Sequence, residues 1–225
     1  VKEKISQMKQ LLSESGLELS DQRKLAAVRL AEGVEQQLHL LEMEKARFLV
    51  SLSEQESDQG LDVNGRRFAF DASGLDQIEF LIETNPGEGF KPLAKTASGG
   101  ETSRLMLALK SVLAEVDHIP TLVFDEIDSG IGGRVGMTVG DMLWNLGRQH
   151  QVLCVTHLPQ LAAFGDQHFH VSKRSENERT STQVEQLMGE ARVEELAAML
   201  GANTPVTMES AREILNTVAA KTSKI

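Results

Sequence analysis

Only one cysteine, Cys154, occurs in the 225 residues, so no disulfide can form within the chain. A lone thiol suits a reducing compartment, and its place in the apolar run Val152–Leu153–Cys154–Val155 predicts a small buried hydrophobe. Long apolar runs are missing as well. None approaches the roughly 20 residues that a bilayer-crossing helix needs, so no membrane partner is expected. The start, Val1-Lys2-Glu3-Lys4-Ile5, lacks the apolar stretch of a secretory signal, and a cytoplasmic location is expected. An initiator methionine is also lacking, as it would be in an excised piece or in a chain trimmed of its methionine. Nor is there an excess of positive charge: the net charge is −10 and the pI about 5.1. Proteins that bind DNA over their whole surface are basic. Any DNA contact is therefore local, or belongs to parts outside this chain. Lys91, Lys95, Arg104 and Lys110 read as a solvated face, with a local DNA-facing patch as the alternative. Internal repeats and low-complexity segments are absent.

What is present fits an ordinary globular protein, with 40% hydrophobic and 25% charged residues. The length allows one good-sized core, or a domain with an appendage. Residues 1 to about 58 are polar, free of proline and helical in pattern. Ala27, Ala31, Val34, Leu38, Leu41, Lys45, Phe48 and Leu52 alternate spacings of four and three, a heptad seam with one polar interruption at Lys45. Val1, Ile5, Met8 and Leu12 repeat that spacing. The segment between, Ser13-Glu14-Ser15-Gly16 and then Ser20-Asp21, reads as a helix stop and restart. So narrow a stripe predicts a coiled-coil stub over residues 1–58, whose partner helix lies outside the chain. An amphipathic helix packed on a globular domain is the alternative.

From Gln59 onward the pattern changes. Asn64-Gly65 is a hairpin turn signal before an alternating strand at Arg67–Phe70. A second strand is expected at Phe80–Glu83, stopped by Asn85-Pro86-Gly87. A helix follows from about Gly100 to Val116, with Leu105, Leu109, Val112 and Leu113 on one face. Two short apolar runs, Thr121–Phe124 and Val152–Val155, flank a helix at about Val135–Leu146. That is the βαβ pattern of a parallel sheet, whose buried strands are continuously apolar. A short strand near Phe169–Ser172 and helices near Val193–Leu200 and Met208–Ala219 complete the chain.

Both apolar runs end in polar residues, Asp125-Glu126 and Thr156-His157. Ligands of open α/β sheets bind beyond the carboxyl ends of the strands, so if these strands are neighbours, Asp125, Glu126 and His157 share one edge. Two acids after an apolar strand suit a Mg-nucleotide site, one holding the metal and the next orienting or deprotonating a water. Alternation along the strand should keep the two from competing for one position. Taken singly, each string is commoner as a turn acid pair or a polar strand end. Upstream, Ser98 and Glu101 form a capping box. The same helix start, with Gly99 and Gly100, offers free backbone amides to a phosphate.

Together these segments resemble the ABC-type ATPases. Ser98-Gly99-Gly100-Glu101 is similar to the family's signature motif. Leu122–Glu126 resembles the Walker B strand, with Glu126 where the family has its catalytic glutamate. Ile127-Asp128-Ser129-Gly130 resembles the D-loop, and Thr156-His157 the switch histidine. Each is weak alone, but all four stand in family order at family-like spacing. Two features depart from the pattern. Ala97 replaces the usual leucine of the signature, and no stretch supplies the phosphate loop G-x-x-x-x-G-K-[S/T]. Gly130-Ile131-Gly132-Gly133 does not make a dinucleotide loop either, since Val135 takes the place of its third glycine. A heptad helix and strands before the signature resemble the SMC-like branch, in which a long antiparallel coiled coil separates two head lobes. From Gly74 to the end, and most closely in residues 91–104, 124–133 and 157–162, the chain resembles bacterial members of that branch.

The resemblance implies an α/β fold, the C-terminal lobe of an ABC/SMC-type P-loop ATPase head, over residues 59–225. It implies ATP and Mg²⁺ as cofactors and an ATPase acting in DNA double-strand break repair and recombination at the bacterial nucleoid. Its partners would be the N-terminal Walker A lobe of the same protein, a second head across two sandwiched ATPs, and DNA ends held by the full-length assembly. Ser98, Gly99, Gly100 and Glu101 would serve the nucleotide of the opposite head. Asp125 would hold Mg²⁺, Glu126 and His157 would be catalytic, and Asp128, Ser129 and Gly130 would lie at the dimer seam. Without the phosphate loop, the chain alone should be inactive. The competing readings are a non-catalytic DNA-tethering and dimerisation module and, less favoured by the chain order, an ABC transporter subunit.

Overall fold

A 39-residue helix, α1 (Lys2–Leu40), opens the chain in a computed structural model that describes residues 1–95, 99–176 and 179–223. It runs unbroken through Gly16 and Ser20, where the sequence predicts a stop and restart. Those residues face inward. A Cβ on Gly16 would lie 2.9 Å from Leu75 Cδ1, and the Ser20 hydroxyl donates to Asp76 Oδ1 at 2.6 Å. Arg23 Nη1 donates to the other oxygen of Asp76 at 2.8 Å. The apparent helix breakers are the small and polar residues that let a strand approach the helix. A mid-helix glycine costs about 1 kcal/mol against alanine, and this contact offsets it.

The helix, expected to reach about residue 58, ends at Leu40. The Leu38 carbonyl accepts from the amides of Leu41 and Met43, both at 3.0 Å. Glu42 turns the chain with a left-handed φ of 56°. Lys45, the polar interruption of the heptad count, lies in this turn, and Phe48 and Leu52 belong to strand β1 (Arg47–Glu54). Residues four apart share a face in strands as well as in helices, so the count continued past the helix by coincidence. β1 pairs antiparallel with β4 (Asp76–Glu83), Phe48 opposite Ile82, and β4 pairs with β5 (Lys91–Pro92). β2 (Glu56–Val63) and β3 (Arg66–Phe68) form a hairpin across Asn64-Gly65. Both turn residues have positive φ, 52° and 83°, as a type I′ turn requires. Leu61, Val63, Phe68 and Leu75 form its core. Contacts gather the chain into two units, Val1–Ala97 and Ser98–Ile225. Residues 47–54, counted with the stub from sequence, pair with 76–83 in the first.

In the second unit, α2 (Gly99–Leu113) precedes β6 (Thr121–Phe124), α3 (Gly133–Leu146) and β7 (Gln151–Cys154). β6 and β7 are parallel neighbours, Thr121 opposite Gln151 and Phe124 opposite Cys154. The expected βαβ unit is therefore present. Its strands are covered on one face only. Leu122 and Phe124 are buried, whereas Val123, Leu153 and Val155 are 67%, 50% and 62% exposed, so continuous burial, as read from sequence, fails for this face. After the short α4 (Pro159–Ala162) comes a long hairpin, β8 (His168–Glu176) and β9 (Arg179–Leu187), of which only a short piece was expected. α5 (Glu190–Met199) and α6 (Pro205–Thr222) close the unit. Leu196, Ala197, Ala211 and Val218 pack there with Phe164. Among the described residues no helix is long and apolar enough to cross a membrane.

Candidate active site

The parallel pairing sets the geometry. The Val155 amide donates to the Phe124 carbonyl at 2.9 Å, so the residues that follow both strands leave the same edge. β6 stops at Phe124, and Asp125 and Glu126 therefore lie in a turn, outside any alternating strand. Strand alternation does not separate them, as the sequence suggested; backbone conformation does. Glu126 adopts φ +56°, a left-handed conformation that costs a non-glycine residue roughly 1–3 kcal/mol. Asp125 Oδ1 accepts from the Glu126 amide at 2.9 Å. The loop is pinned by Ile127, fully buried, and by Asp128, 3% exposed.

Helix α2 holds this loop. Ser103 Oγ donates to the Asp125 carbonyl at 2.7 Å. Arg104 Nη1 donates to the carbonyls of Ile127 at 3.4 Å and Ser129 at 2.8 Å. Arg104 is buried, and burial lowers its pKa while nearby Glu101 raises it. The solvated face or DNA-facing patch read from sequence does not exist at this residue. Lys110 is likewise tied to Asp117 at 2.5 Å, and Lys91 pairs with Glu88 at 2.9 Å. One signal could have placed Arg104: with Gly100, Leu107 and Ala108 it falls on one helical face, and all four are buried.

The two glycines at the start of α2 are required by close approach. A Cβ on Gly99 would lie 1.9 Å from Glu126 Oε2. One on Gly100 would lie 2.9 Å from Ser129 Cβ and 3.1 Å from the Glu126 carbonyl. Ser98, and with it the expected capping box to Glu101, lies outside the described residues. Glu101 stands in the first turn of α2.

At the tip of β7, one buried oxygen gathers three groups. Asp128 Oδ2 accepts from Thr156 Oγ1 at 2.5 Å and from the His157 amide at 2.8 Å, and lies 3.0 Å from His157 Nδ1. The Asp128 side chain is 5% exposed and that of His157 72%. The carboxylate expected at a dimer seam thus turns inward, leaving Ser129 and Gly130 as the exposed part of that segment. Gly130 has φ +74°. An imidazole bonded through Nδ1 to a carboxylate presents Nε2 outward, a common way of fixing its orientation. Nearby Cys154 is half-buried; burial first, then Asp128 and Asp125, push its thiol up to about 12.

The edge thus brings together Gly99, Gly100, Asp125, Glu126, Asp128, Ser129 and His157. Among the described residues no group of three or more acids, histidines or cysteines could hold a metal unaided. Asp125, exposed at the strand end, fits Mg²⁺, which takes one or two carboxylates and fills its shell with phosphates and water. The arrangement suits phosphoryl transfer, in which positioning and charge do most of the chemistry.

No family model matches the chain. Curated relatives do. It is 39% identical over 223 residues to a "DNA repair protein RecN" of Halalkalibacterium halodurans, covering 95% of this chain and 38% of that one. It is 41% identical over 204 residues to that of Streptomyces coelicolor, covering 90% and 36%, and 52% identical over 129 residues to that of Xylella fastidiosa, covering 57% and 23%. The chain thus spans little more than a third of the length of the first two relatives. Among solved structures, the Smc head domain with a coiled coil and joint from Pyrococcus yayanosii aligns with a TM-score of 0.52 at 19% identity, covering 79% of this chain and 30% of that one. That likeness speaks for the fold alone: an SMC-type ATPase head.

Proposed function

We infer the function from one premise: the chain belongs to the RecN family of DNA repair proteins. It serves as the C-terminal lobe of an SMC-like ATPase head in DNA double-strand break repair and recombination. The observation that carries this reading is the parallel β6–β7 edge, where Asp125, Glu126 and His157 meet the glycine start of α2. Bound Mg-ATP supplies the γ-phosphoryl group and the charge that organises it. Asp125 holds Mg²⁺, directly or through water. Glu126 orients and deprotonates the attacking water, a role worth 10²–10⁴-fold in rate for a general base. His157, steadied through Nδ1 by Asp128, turns Nε2 to the γ-phosphate. Ser98, Gly99 and Gly100 offer backbone amides to the nucleotide of a second head, and Glu101 caps that helix start. Ser129 and Gly130, the exposed part of the D-loop, face the same second head.

The phosphate loop comes from an N-terminal lobe of the same protein. Val123, Leu153 and Val155, an open apolar strand face, support a partner lobe there, since bare apolar strand faces mark interaction surfaces. The heptad seam of α1 is one arm of an antiparallel coiled coil, and residues 59–225 form the head lobe it leads into. ATP closes two heads, hydrolysis opens them, and DNA ends are held by the whole assembly rather than by this acidic lobe. The protein works at the nucleoid.

Glu126→Gln, made in the protein carrying the phosphate-loop lobe, tests the reading. It should lower hydrolysis roughly 10²-fold or more while ATP still binds and head dimers accumulate in sizing experiments. Loss of ATP binding in that variant would make Glu126 structural. This chain by itself should release no phosphate from ATP, and measurable turnover by it would refute the need for a second lobe.

A further inference from the structure

Two consecutive residues of α2 hold three alternate carbonyls of the loop that carries Glu126. Ser103 takes the carbonyl of Asp125, and Arg104 takes those of Ile127 and Ser129. The loop is therefore gripped on both sides of Glu126, the one residue between the first two carbonyls, which also has the strained φ of +56°. A left-handed glutamate relaxes unless its neighbours over-determine it. No loop-internal bond supplies that grip on its own: the Glu126 carbonyl accepts from Ser129, and its amide meets only its neighbour's carboxylate. Arg104 is a donor suited to the task, a rigid fork placed in a buried position where its bonds are not exchanged with water. Its Nε has no hydrogen-bond partner, so burial of this cation is compensated through the loop carbonyls.

We propose that Ser103 and Arg104 are positioning residues for the ATPase reaction, holding the strained turn that aims the Glu126 carboxylate. Neither touches the nucleotide's reacting atoms. They act by keeping Glu126 in its left-handed conformation beside the glycine start of α2. The same grip makes one rigid body of two parts with different clients: the helix start that serves the opposite nucleotide, and the loop that serves the nucleotide of its own head. The inference rests on the reading of Glu126 as the residue that activates water.

The test uses the protein with its phosphate-loop lobe and two variants, Arg104→Met and Ser103→Ala. Misplacement of a catalytic group by about an ångström costs on the order of 10²-fold. Arg104→Met should therefore lower kcat for ATP roughly 10- to 100-fold, with KM within about twofold and ATP-driven head dimers still forming. Arg104→Lys, whose single ammonium reaches one carbonyl better than two, should recover part of the loss. Amide exchange, read without nucleotide, should quicken at Glu126, Ser129 and Ile131 but not in α3. A kcat within twofold of the parent, or a kcat loss matched by KM and by failure to dimerise, would overturn the proposal. Should Arg104→Met fail to fold, Ser103→Ala decides: a several-fold loss of kcat with faster loop exchange supports it, and unchanged values sink it. If Glu126→Gln still hydrolyses ATP, the reading of Glu126 has failed. If Glu126→Gln is dead while Ser103 and Arg104 variants turn over normally, only this inference has.

Discussion

Asp76 in the first unit and Asp128 in the second are both buried carboxylates, 2% and 5% exposed, yet they are used differently. Asp76 ties a helix to a strand. Its partners are Ser20 and Arg23, the latter 23% exposed and permanently charged, so the tie is closed at both ends. Asp128 ties a loop to a strand tip, and its partner His157 is 72% exposed with one nitrogen facing out. The first arrangement ends in structure. The second ends in a group available for chemistry. The glycines follow the same division: Gly60 of the first unit lies against the backbone of Phe68, whereas Gly99 of the second lies against the end of a flexible carboxylate.

That division can be broken by substitution. The largest effect is expected for Gly60→Ala, whose methyl would lie 2.1 Å from the Phe68 carbonyl oxygen and 2.4 Å from its carbon. Backbone must move, at a cost of about 3 kcal/mol, and thermal melting should show it. Gly99→Ala, whose methyl meets Glu126 Oε2, should cost less than about 1 kcal/mol because a side-chain end can swing away. Equal losses in the two variants would erase the distinction between the units.

Asp76→Ala comes next. It leaves Ser20 and a partly exposed Arg23 without their acceptor, and should cost about 2 kcal/mol. Its pH dependence has a definite sign. Burial pushes the Asp76 carboxyl up, but Ser20, Arg23 and Lys24 outweigh it, so its pKa falls below the ordinary 3.8. The stabilisation is then complete above that ordinary value and is lost as pH falls through the lowered one. Acid melting curves of the parent and of Asp76→Ala should converge there; a constant gap would mean that packing, not charge, makes the tie.

The smallest effect concerns Cys154. With its thiol pushed up to about 12, alkylation at pH 8 should be much slower than for a free cysteine. Asp128→Asn, which removes one of the two charges acting on it, should speed labelling modestly while changing the melting temperature little. Unchanged labelling would show that burial alone protects the thiol.

The chemistry of the edge was more legible in the sequence than its support. Thr121–Phe124 was read to the residue, because four apolar residues before two acids leave little choice of register. α3 was readable from its apolar period and the glycines before it. The end of α1 was hidden, since Phe48 and Leu52 of a strand continue the spacing of a helix, and its unbroken course through Gly16 depends on Leu75, far away in the chain. β8 and β9 were mostly missed because a hairpin such as Thr182-Gln183-Val184-Glu185-Gln186 is too polar to show a covered face. Arg104 was misread for a different reason: a cation on a helix is usually solvated, and the carbonyls that bury this one belong to a loop more than twenty residues downstream.

The open face of β6 and β7 has a practical side. A strand pair that shows Val123, Leu153 and Val155 to water is sticky, and two copies at high concentration would rather cover each other than stay bare. Handled apart from its companion lobe, this polypeptide should therefore cloud or cluster as it is concentrated, and adding that lobe as a separate chain should clear the solution. Solubility then becomes a simple assay for the two halves finding each other.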